Sequence, residues 1–189
     1  MMQRWLLVLL TASLFAQEFK VGAKVAEFNV NDPIGRPVKF SALRGDITVV
    51  MFVSVQCPIS NDYNERIIAL YNDYTAKGVK FVFLNANATE SPTQIMDHAK
   101  QVGFPFPVYR DPGNVVADRF GAQVTPESYV IDKVGTVLYH GAIDDARNPV
   151  RVTAKGLRMA LDAVMASKPV AINETRAFGC TIKRVRKTT

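Results

Sequence analysis

Two near-continuous apolar runs, rich in β-branched and aromatic residues, dominate the hydrophobic pattern of the chain and cover residues 47–55 and 79–84. Runs of this length and composition are typical of central strands that are buried on both faces of a sheet. Between them, residues 58–77 place apolar side chains at three- and four-residue spacing, which predicts an amphipathic helix. Pro58 fits the first helical position, and Gly78 fits the end of the helix. The apolar positions of this helix are Ile59, Tyr63, Ile67, Leu70, Tyr71 and Tyr74.

Shorter segments complete the predicted fold on either side of this β-α-β unit. Alternating or β-branched segments predict short strands, and helical periodicity predicts further helices. The additional predicted strands cover residues 27–30, 38–40, 107–109, 128–131 and 136–140, and the additional helices cover residues 91–102, 114–120 and 152–166. A β-α-β half followed by a β-β-α half predicts an α/β fold with a mixed central sheet and helices on both faces.

The start of the chain has the pattern of an export signal. Arg4 supplies a positive charge, residues 5–12 are almost wholly apolar, and Ala16 precedes a polar residue. This order is typical of a cleaved secretory signal, and the apolar stretch is shorter than a spanning helix requires. We therefore expect a signal peptide over residues 1–16, cleaved near Ala16, and a periplasmic or secreted protein. An uncleaved membrane anchor is the alternative, because Leu14 lies where a small residue is usual before the cut.

The net charge of +6 is concentrated at the ends of the chain. Residues 174–189 carry five Lys or Arg side chains against a single acidic one, so the body of the chain is almost neutral. A neutral body argues against a nucleic-acid-binding face. We expect a single domain over residues 17–168 and a basic tail over residues 169–189. The tail is either a solvated segment or a weak contact for an anionic surface.

Cys57 is the candidate nucleophile of the predicted fold. It follows a buried strand and precedes Pro58, at the start of the next predicted helix. The helix dipole and free backbone N–H groups favour an anion there, and the thiolate is the nucleophilic form of cysteine. In open α/β sheets, ligands collect beyond the carboxyl ends of the strands, where this cysteine lies. The alternative is an inert core cysteine, since free cysteines are often buried.

Four segments of the chain, in this order and spacing, carry a family resemblance. They are Ala26-Glu27-Phe28 with Asp32 and Gly35; Phe52 with Cys57-Pro58; Val124-Thr125-Pro126-Glu127 with Tyr129–Asp132 and Gly135; and Tyr139-His140-Gly141-Ala142-Ile143. From about Val21 to Val164, the layout resembles the redoxin branch of the thioredoxin-like superfamily, the peroxiredoxin-like alkyl hydroperoxide reductase/thiol-specific antioxidant group. The resemblance implies a thioredoxin-like fold and thiol-dependent oxidoreductase or antioxidant activity. It also implies that Pro126 follows a cis peptide bond and lies against Cys57, where the backbone of Thr125 can bind a peptide or thiol.

The chain departs from two active-site motifs of this superfamily. Thioredoxins carry Cys-x-x-Cys, but Ser60 occupies the position of the second cysteine and cannot resolve a mixed disulfide. Peroxiredoxins carry Pro-x-x-x-Thr/Ser-x-x-Cys; Ser54 fits this pattern, whereas Val50 occupies the position of the proline. A peroxidatic site also requires an arginine near the thiolate, for which Arg110 and Arg119 are candidates. The sequence leaves open whether the substrate is a peroxide or a disulfide.

Cys180, in the basic tail, is the only other cysteine of the chain. Two cysteines in an exported protein favour a pair, and the preceding Gly179 lets the chain bend sharply. We expect Cys180 to be the resolving thiol, which attacks a mixed disulfide or a sulfenic acid on Cys57, or to be the disulfide partner of Cys57. An intermolecular or idle cysteine and a purely structural bond are the alternatives.

Two hypotheses of different classes follow. In the first, the chain is an exported thiol–disulfide oxidoreductase or thiol peroxidase with an unknown electron donor, in which Cys57 attacks and Cys180 resolves. The residues expected to shape its substrate pocket are Ser54, Pro58, Ser60, Thr125 and Pro126. In the second, the same fold is a non-enzymatic binding module, and the Cys57–Cys180 disulfide is structural.

No cofactor or metal site is expected. Copper-chaperone relatives need a second cysteine four residues after the first, where this chain has Asn61. His98 and His140 share no metal-ligand spacing. Asp144 and Asp145 follow the last predicted strand, where such residues most often form turns and caps, and the sequence does not assign them a chemical role.

Overall fold

The three longest strands of the computed structural model, which describes residues 18–186, form the centre of its sheet. β3 (Ile47–Phe52) pairs in parallel with β4 (Lys80–Asn85) and antiparallel with β7 (Glu127–Asp132). All three strands are largely buried because apolar layers cover both faces of the sheet. The predicted signal peptide over residues 1–16 lies outside the described residues.

Shorter strands extend the sheet to seven strands. β5 (Val108–Arg110) pairs in parallel with β4, and β8 (Val137–Gly141) pairs antiparallel with β7. A hairpin of β1 (Asn29–Asn31) and β2 (Pro37–Lys39) continues from β5, which gives the strand order β2-β1-β5-β4-β3-β7-β8. The predicted α/β architecture with a mixed sheet is therefore confirmed.

Helices pack on both faces of the sheet, as predicted. They are α1 (Pro58–Asp62), α2 (Asn64–Thr75), α3 (Pro92–Val102), α4 (Val115–Phe120) and α5 (Gly156–Met165). Because side chains alternate along a strand, β3 contributes Val50 and Phe52 to the apolar cluster that includes α4. It contributes Val49 and Met51 to the cluster that includes α2, α3 and α5. Each such buried side chain contributes about 1.5–3 kcal/mol.

The structure corrects two predicted helix boundaries. The helix predicted over residues 58–77 is interrupted at Tyr63, which ends α1 and precedes α2, because its fully buried side chain is fixed by distant residues. The last helix begins at Gly156 and not at Val152. Thr153 is held in the preceding loop by Asp145, whose carboxylate accepts a hydrogen bond from the Thr153 N–H at 2.9 Å.

The end of the described chain lies against the domain. β9 (Cys180–Thr181) pairs antiparallel with β6 (Val124–Thr125), and neither of these short strands was predicted. Further upstream, the N–H of Thr175 donates to the carbonyl of His140 in β8 at 3.0 Å. Among residues 18–186, no helix combines the length and the apolar character needed to cross a membrane.

Candidate active site

Cys57 lies in a buried position between the end of β3 and the start of α1. It is the N-cap residue of α1, and its sulfur accepts a hydrogen bond from the backbone N–H of Ser60 at 3.2 Å. Pro58 occupies the first turn of this helix, where its missing N–H leaves no bond unmade. Only 2% of Cys57 is exposed. The Ser60 N–H is therefore aimed at the atom that would carry the charge of a thiolate.

Cys57 and Cys180 form a disulfide, with their Cα atoms 5.7 Å apart. The peptide bond between Thr125 and Pro126 is cis, as the family resemblance implies. The carbonyl oxygen of Thr125 lies 3.3 Å from the Cys57 sulfur, and Thr125 is the residue that pairs directly with Cys180 across β6 and β9. The structure thus brings both cysteines and the residue before the cis proline into one site.

The two serines near Cys57 support the active-site loop. The hydroxyl of Ser60 accepts a hydrogen bond from the backbone N–H of Ser54 at 3.2 Å. The hydroxyl of Ser54 donates to Glu90 at 2.5 Å. The Ser54 hydroxyl, three residues before Cys57, is therefore hydrogen-bonded to a buried carboxylate. Ser60, which stands where thioredoxins have a second cysteine, contacts the Cys57 sulfur through its backbone and Ser54 through its side chain.

Glu90 is a site residue that sequence reasoning missed. Its carboxylate is 2% exposed and accepts hydrogen bonds from the N–H groups of Val55 and Gln56, at 2.8 and 3.0 Å, in addition to the Ser54 hydroxyl. Buried carboxylates are rare unless they are paired or hydrogen-bonded in this way. Glu90 thus holds the three residues before Cys57. Its place in the sequence, beside the helix-capping Ser91, resembles an ordinary solvated helix start.

A second cluster positions Tyr63, six residues after Cys57. The Tyr63 hydroxyl donates to Asp144 at 2.7 Å, and Arg66 pairs with the same carboxylate at 2.7 Å. Burial, together with the hydrogen bond to Asp144, raises the pKa of Tyr63 far above its usual value, so the hydroxyl stays protonated. The Tyr63 ring packs edge-on against Phe178 of the tail, at a centroid distance of 6.2 Å. Asp144 therefore supports the site indirectly, whereas Asp145 caps the loop at Thr153.

Glu127, which directly follows the cis proline, fixes the strand that faces Cys180. One carboxylate oxygen accepts the N–H groups of Gln123 and Val124 at 2.8 and 3.0 Å. The other lies 2.6 Å from Nε2 of His140. Burial acts to raise the pKa of Glu127, but the hydrogen bonds from His140, Val124 and Gln123 outweigh burial, so its pKa lies below the usual value.

The two candidate arginines have other roles in the structure. Arg119 lies over the ring of Phe19, at 4.4 Å, and donates to the carbonyl of Glu27 at 3.0 Å. Arg110 belongs to β5, opposite Asn85 of β4. Across the described part of the chain, neither guanidinium forms a hydrogen bond with the loop that carries Cys57. In the same part of the chain, no group of three or more His, Cys, Asp or Glu side chains is arranged to hold a metal ion.

Comparisons with known proteins agree with this geometry. Residues 21–140 match the AhpC/TSA family. An uncharacterised conserved protein from Geobacillus kaustophilus, known from a crystal structure, is 32% identical with a TM-score of 0.83, over 90% of this chain and 95% of that chain. The thiol-disulfide oxidoreductase ResA of Bacillus thuringiensis (strain Al Hakam) is 27% identical over 122 residues, which cover 65% of this chain and 69% of ResA. The chloroplastic peroxiredoxin Q of Sedum lineare is 30% identical over 133 residues, 66% of this chain and 69% of that protein.

The family match spans more than half of the chain and includes both Cys57 and Pro126. The strand order and the cis proline beside the disulfide fit a thioredoxin-like fold, which solved structures such as a thiol:disulfide interchange protein from Chlorobium tepidum share. The chain therefore belongs to the AhpC/TSA family and is an oxidoreductase with a thioredoxin-like fold.

Proposed function

We propose that this chain is an exported thiol–disulfide oxidoreductase in which Cys57 is the nucleophile and Cys180 is the resolving thiol. The observation that carries the proposal is the Cys57–Cys180 disulfide, formed at the start of α1 beside the carbonyl of Thr125. The likeness to ResA, which is named for this activity, supports the same reaction class.

Each group has a role in the proposed reaction. In the reduced chain, the Ser60 N–H and the positive end of α1 stabilise the Cys57 thiolate. The thiolate attacks a substrate disulfide, so that a mixed disulfide forms and one substrate thiolate leaves. Ser60 has no thiol with which to resolve this bond, so Cys180 attacks Cys57 and releases the second substrate thiol. Two electrons pass to the substrate, and an external dithiol must then reduce the Cys57–Cys180 bond.

Peroxide reduction is the second candidate function. It is supported by the likeness to peroxiredoxin Q and by the spacing of Ser54 and Cys57. In that reaction the Cys57 thiolate attacks one peroxide oxygen, the O–O bond breaks, and a sulfenic acid forms while the other oxygen leaves as water or an alcohol; Cys180 then condenses with the sulfenic acid and releases water. Two contacts favour disulfide exchange instead. The Ser54 hydroxyl is engaged by Glu90, and the Arg119 guanidinium lies over Phe19.

Export is part of the proposal and rests on the pattern of residues 1–16. In the periplasm or outside the cell, a disulfide such as Cys57–Cys180 persists until a specific reductant removes it. The proposed organisation is a redoxin domain over residues 17–168, followed by a tail over residues 169–189. Part of the basic charge of the tail is paired with the domain, because Arg184 forms an ion pair with Asp118 of α4 at 2.9 Å.

The decisive experiment exposes the fully reduced protein to oxidised glutathione and, separately, to hydrogen peroxide, and follows intact mass after alkylation. We expect the wild-type chain to regain the Cys57–Cys180 disulfide with glutathione. Cys180→Ser should stop at a glutathione adduct on Cys57, and Cys57→Ser should form none. Faster conversion with peroxide, through a sulfenic acid on Cys57, would favour the peroxidase. Unreactive wild-type thiols would contradict both functions.

The same samples distinguish the binding module from the enzyme. If the disulfide of the folded protein is catalytic, mild dithiothreitol should reduce it without denaturant, because an external thiol must reach it in each cycle. A bond that stays intact under these conditions would support the structural hypothesis and count against turnover. Mass after alkylation gives the oxidised fraction directly.

A further inference from the structure

The segment from Phe178 to Ile182 binds the active site in the manner of a peptide ligand. It bends at Gly179 and is extended over Cys180 and Thr181, where its backbone pairs with Val124 and Thr125, and it carries the cysteine that is bonded to Cys57. The N–H of Ile182 adds a hydrogen bond to the carbonyl of Gln123 at 2.9 Å. Addition of an extended strand to a free strand edge is a general mode of peptide recognition, in which alternate side chains enter pockets.

Alternate side chains of this segment do face the domain. Phe178 packs against the ring of Tyr63, and Ile182 is 2% exposed within the apolar cluster that includes Phe120. Thr181, between them, is exposed. A cleft of about 200 Å³ lies beside Phe178 and is also lined by Ala142 and Gly156. Two apolar subsites therefore flank the disulfide, one on each side.

We propose that Phe178–Ile182 is an intramolecular pseudosubstrate and that the groove it occupies binds polypeptides with an aromatic residue two positions before the reactive cysteine, a glycine directly before it and an aliphatic residue two positions after it. This inference rests on the proposed thiol–disulfide exchange and names the substrate class of that site. The ligand is a cysteine-containing segment of a protein or peptide that bends at this glycine and is extended from the cysteine onward.

The pseudosubstrate and a substrate compete for one edge. Attack of the Cys57 thiolate on a substrate disulfide forms a mixed disulfide, and the other substrate cysteine leaves as a thiolate that takes a proton from solvent. The substrate segment then pairs with Thr125 while Phe178–Ile182 is displaced. When this segment returns, the Cys180 thiolate attacks the Cys57 sulfur and the substrate cysteine leaves as a thiolate. The Cys57–Cys180 disulfide forms again, and the two electrons released by the two protein thiols have reduced the substrate disulfide.

The test uses the reduced, full-length Cys180→Ser protein, whose only thiol is Cys57. The probes are peptides with the sequence of residues 176–186, each with its cysteine activated as a mixed disulfide with 2-nitro-5-thiobenzoate, so that attack by Cys57 releases a coloured thiolate. The peptides carry the native sequence, Phe178→Ala, Ile182→Asp, or the matched control Thr181→Ala. 5,5′-Dithiobis(2-nitrobenzoic acid) measures the intrinsic reactivity of Cys57 in parallel.

We expect the native peptide and Thr181→Ala to react at equal rates. Loss of the aromatic contact in Phe178→Ala should lower the second-order rate constant about two- to tenfold, and Ile182→Asp should lower it about tenfold or more. Placing Phe178→Ala in the protein instead should raise the rate for every peptide, because the intramolecular competitor is weakened.

Equal rates for all four peptides, with normal reactivity towards the small disulfide, would overturn the pseudosubstrate and leave thiol–disulfide exchange standing. A Cys57 that reacts neither with the peptides nor with the small disulfide would overturn both proposals. Faster reaction of Phe178→Ala or Ile182→Asp peptides than of the native peptide would also contradict the two subsites.

Discussion

At the scale of single residues, the contact between Glu127 and His140 is the one that most directly couples pH to the site. The Glu127 carboxylate is held by His140 and by the backbone N–H groups of Gln123 and Val124, at the start of the strand that pairs with Cys180, and its pKa is lowered below the usual value of 4.5. A lowered folded-state pKa stabilises the fold above the unfolded-state pKa. This stability is lost as the pH falls through the folded-state value.

We predict that Glu127→Gln lowers the free energy of unfolding by about 1–3 kcal/mol near neutral pH, because an amide cannot accept all of these hydrogen bonds. The difference from the wild type should begin to shrink as the pH falls below about 4.5, the unfolded-state pKa, and should be lost as the pH falls through the lower folded-state pKa, where the carboxylate of the folded wild type becomes protonated. Urea unfolding of both proteins at a series of pH values measures this difference.

A matched control is Glu65→Gln, since Glu65 is exposed on α2. Near neutral pH, it should lower the free energy of unfolding by less than Glu127→Gln does, because no buried carboxylate is lost. If the gap between Glu127→Gln and the wild type were the same in acid as at neutral pH, the lowered pKa would not be the source of the stabilisation.

Single residues differ in how far the sequence predicts them. The place of Cys57 follows from local features, an apolar strand before it and a proline after it, and the structure confirms its position at the start of a helix. The role of Glu90 does not follow from the sequence, because the three residues that it holds before Cys57 lie 34 to 36 positions away and only the folded chain brings them together. The cis form of Pro126 was implied by the family resemblance and not by the local residues.

At the scale of elements, the pairing of β6 and β9 explains why residue 179 is a glycine. A Cβ atom at Gly179 would lie much closer to the Thr125 carbonyl oxygen than van der Waals contact allows, so only glycine lets the two strands approach closely enough for Cys180 to reach Cys57. The pairing of these two strands thus depends on a missing side chain as much as on hydrogen bonds.

We predict that Gly179→Ala weakens the Cys57–Cys180 disulfide by about 1–3 kcal/mol, the usual cost of forcing extra atoms into a packed contact. The variant should therefore be less oxidised than the wild type in the same glutathione redox buffer, as measured by mass after alkylation. Thr181→Ala alters the exposed neighbour in the same strand and should leave the oxidised fraction unchanged. Equal oxidation of Gly179→Ala and the wild type would show that the close approach is unimportant.

The elements themselves show where periodicity succeeds and where it fails. The central strands were predicted within a few residues because β3 and β4 are buried on both faces. The break at Tyr63 was not, since the periodic apolar pattern continues through it and its cause is the distant Asp144. The inward alternation of Phe178, Cys180 and Ile182 is a signal from which β9 could have been predicted.

At the scale of the whole molecule, a core built mainly from the body of the chain is covered at the active site by the segment after α5. The two apolar clusters draw nearly all of their fully buried residues from the body of the chain, and Ile182 is the one contributed by the segment after α5. That segment is joined to the body by strand pairing, by the Arg184–Asp118 ion pair and by the disulfide. Reduction would remove the covalent link, whereas the strand pairing and the ion pair do not depend on the disulfide bond itself.

We therefore predict that reduction lowers the free energy of unfolding without unfolding the protein. The disulfide links residues 123 positions apart, and cross-links over such long loops contribute about 2–5 kcal/mol by restricting the unfolded chain. Urea unfolding with and without reductant should show this loss for the wild type, whereas Cys180→Ser should match the reduced wild type in both conditions. Limited proteolysis of the reduced protein should cut first in the segment after α5, because Cys180 of this segment is then no longer bonded to Cys57. Equal stability of both redox states, or loss of the core on reduction, would contradict this prediction.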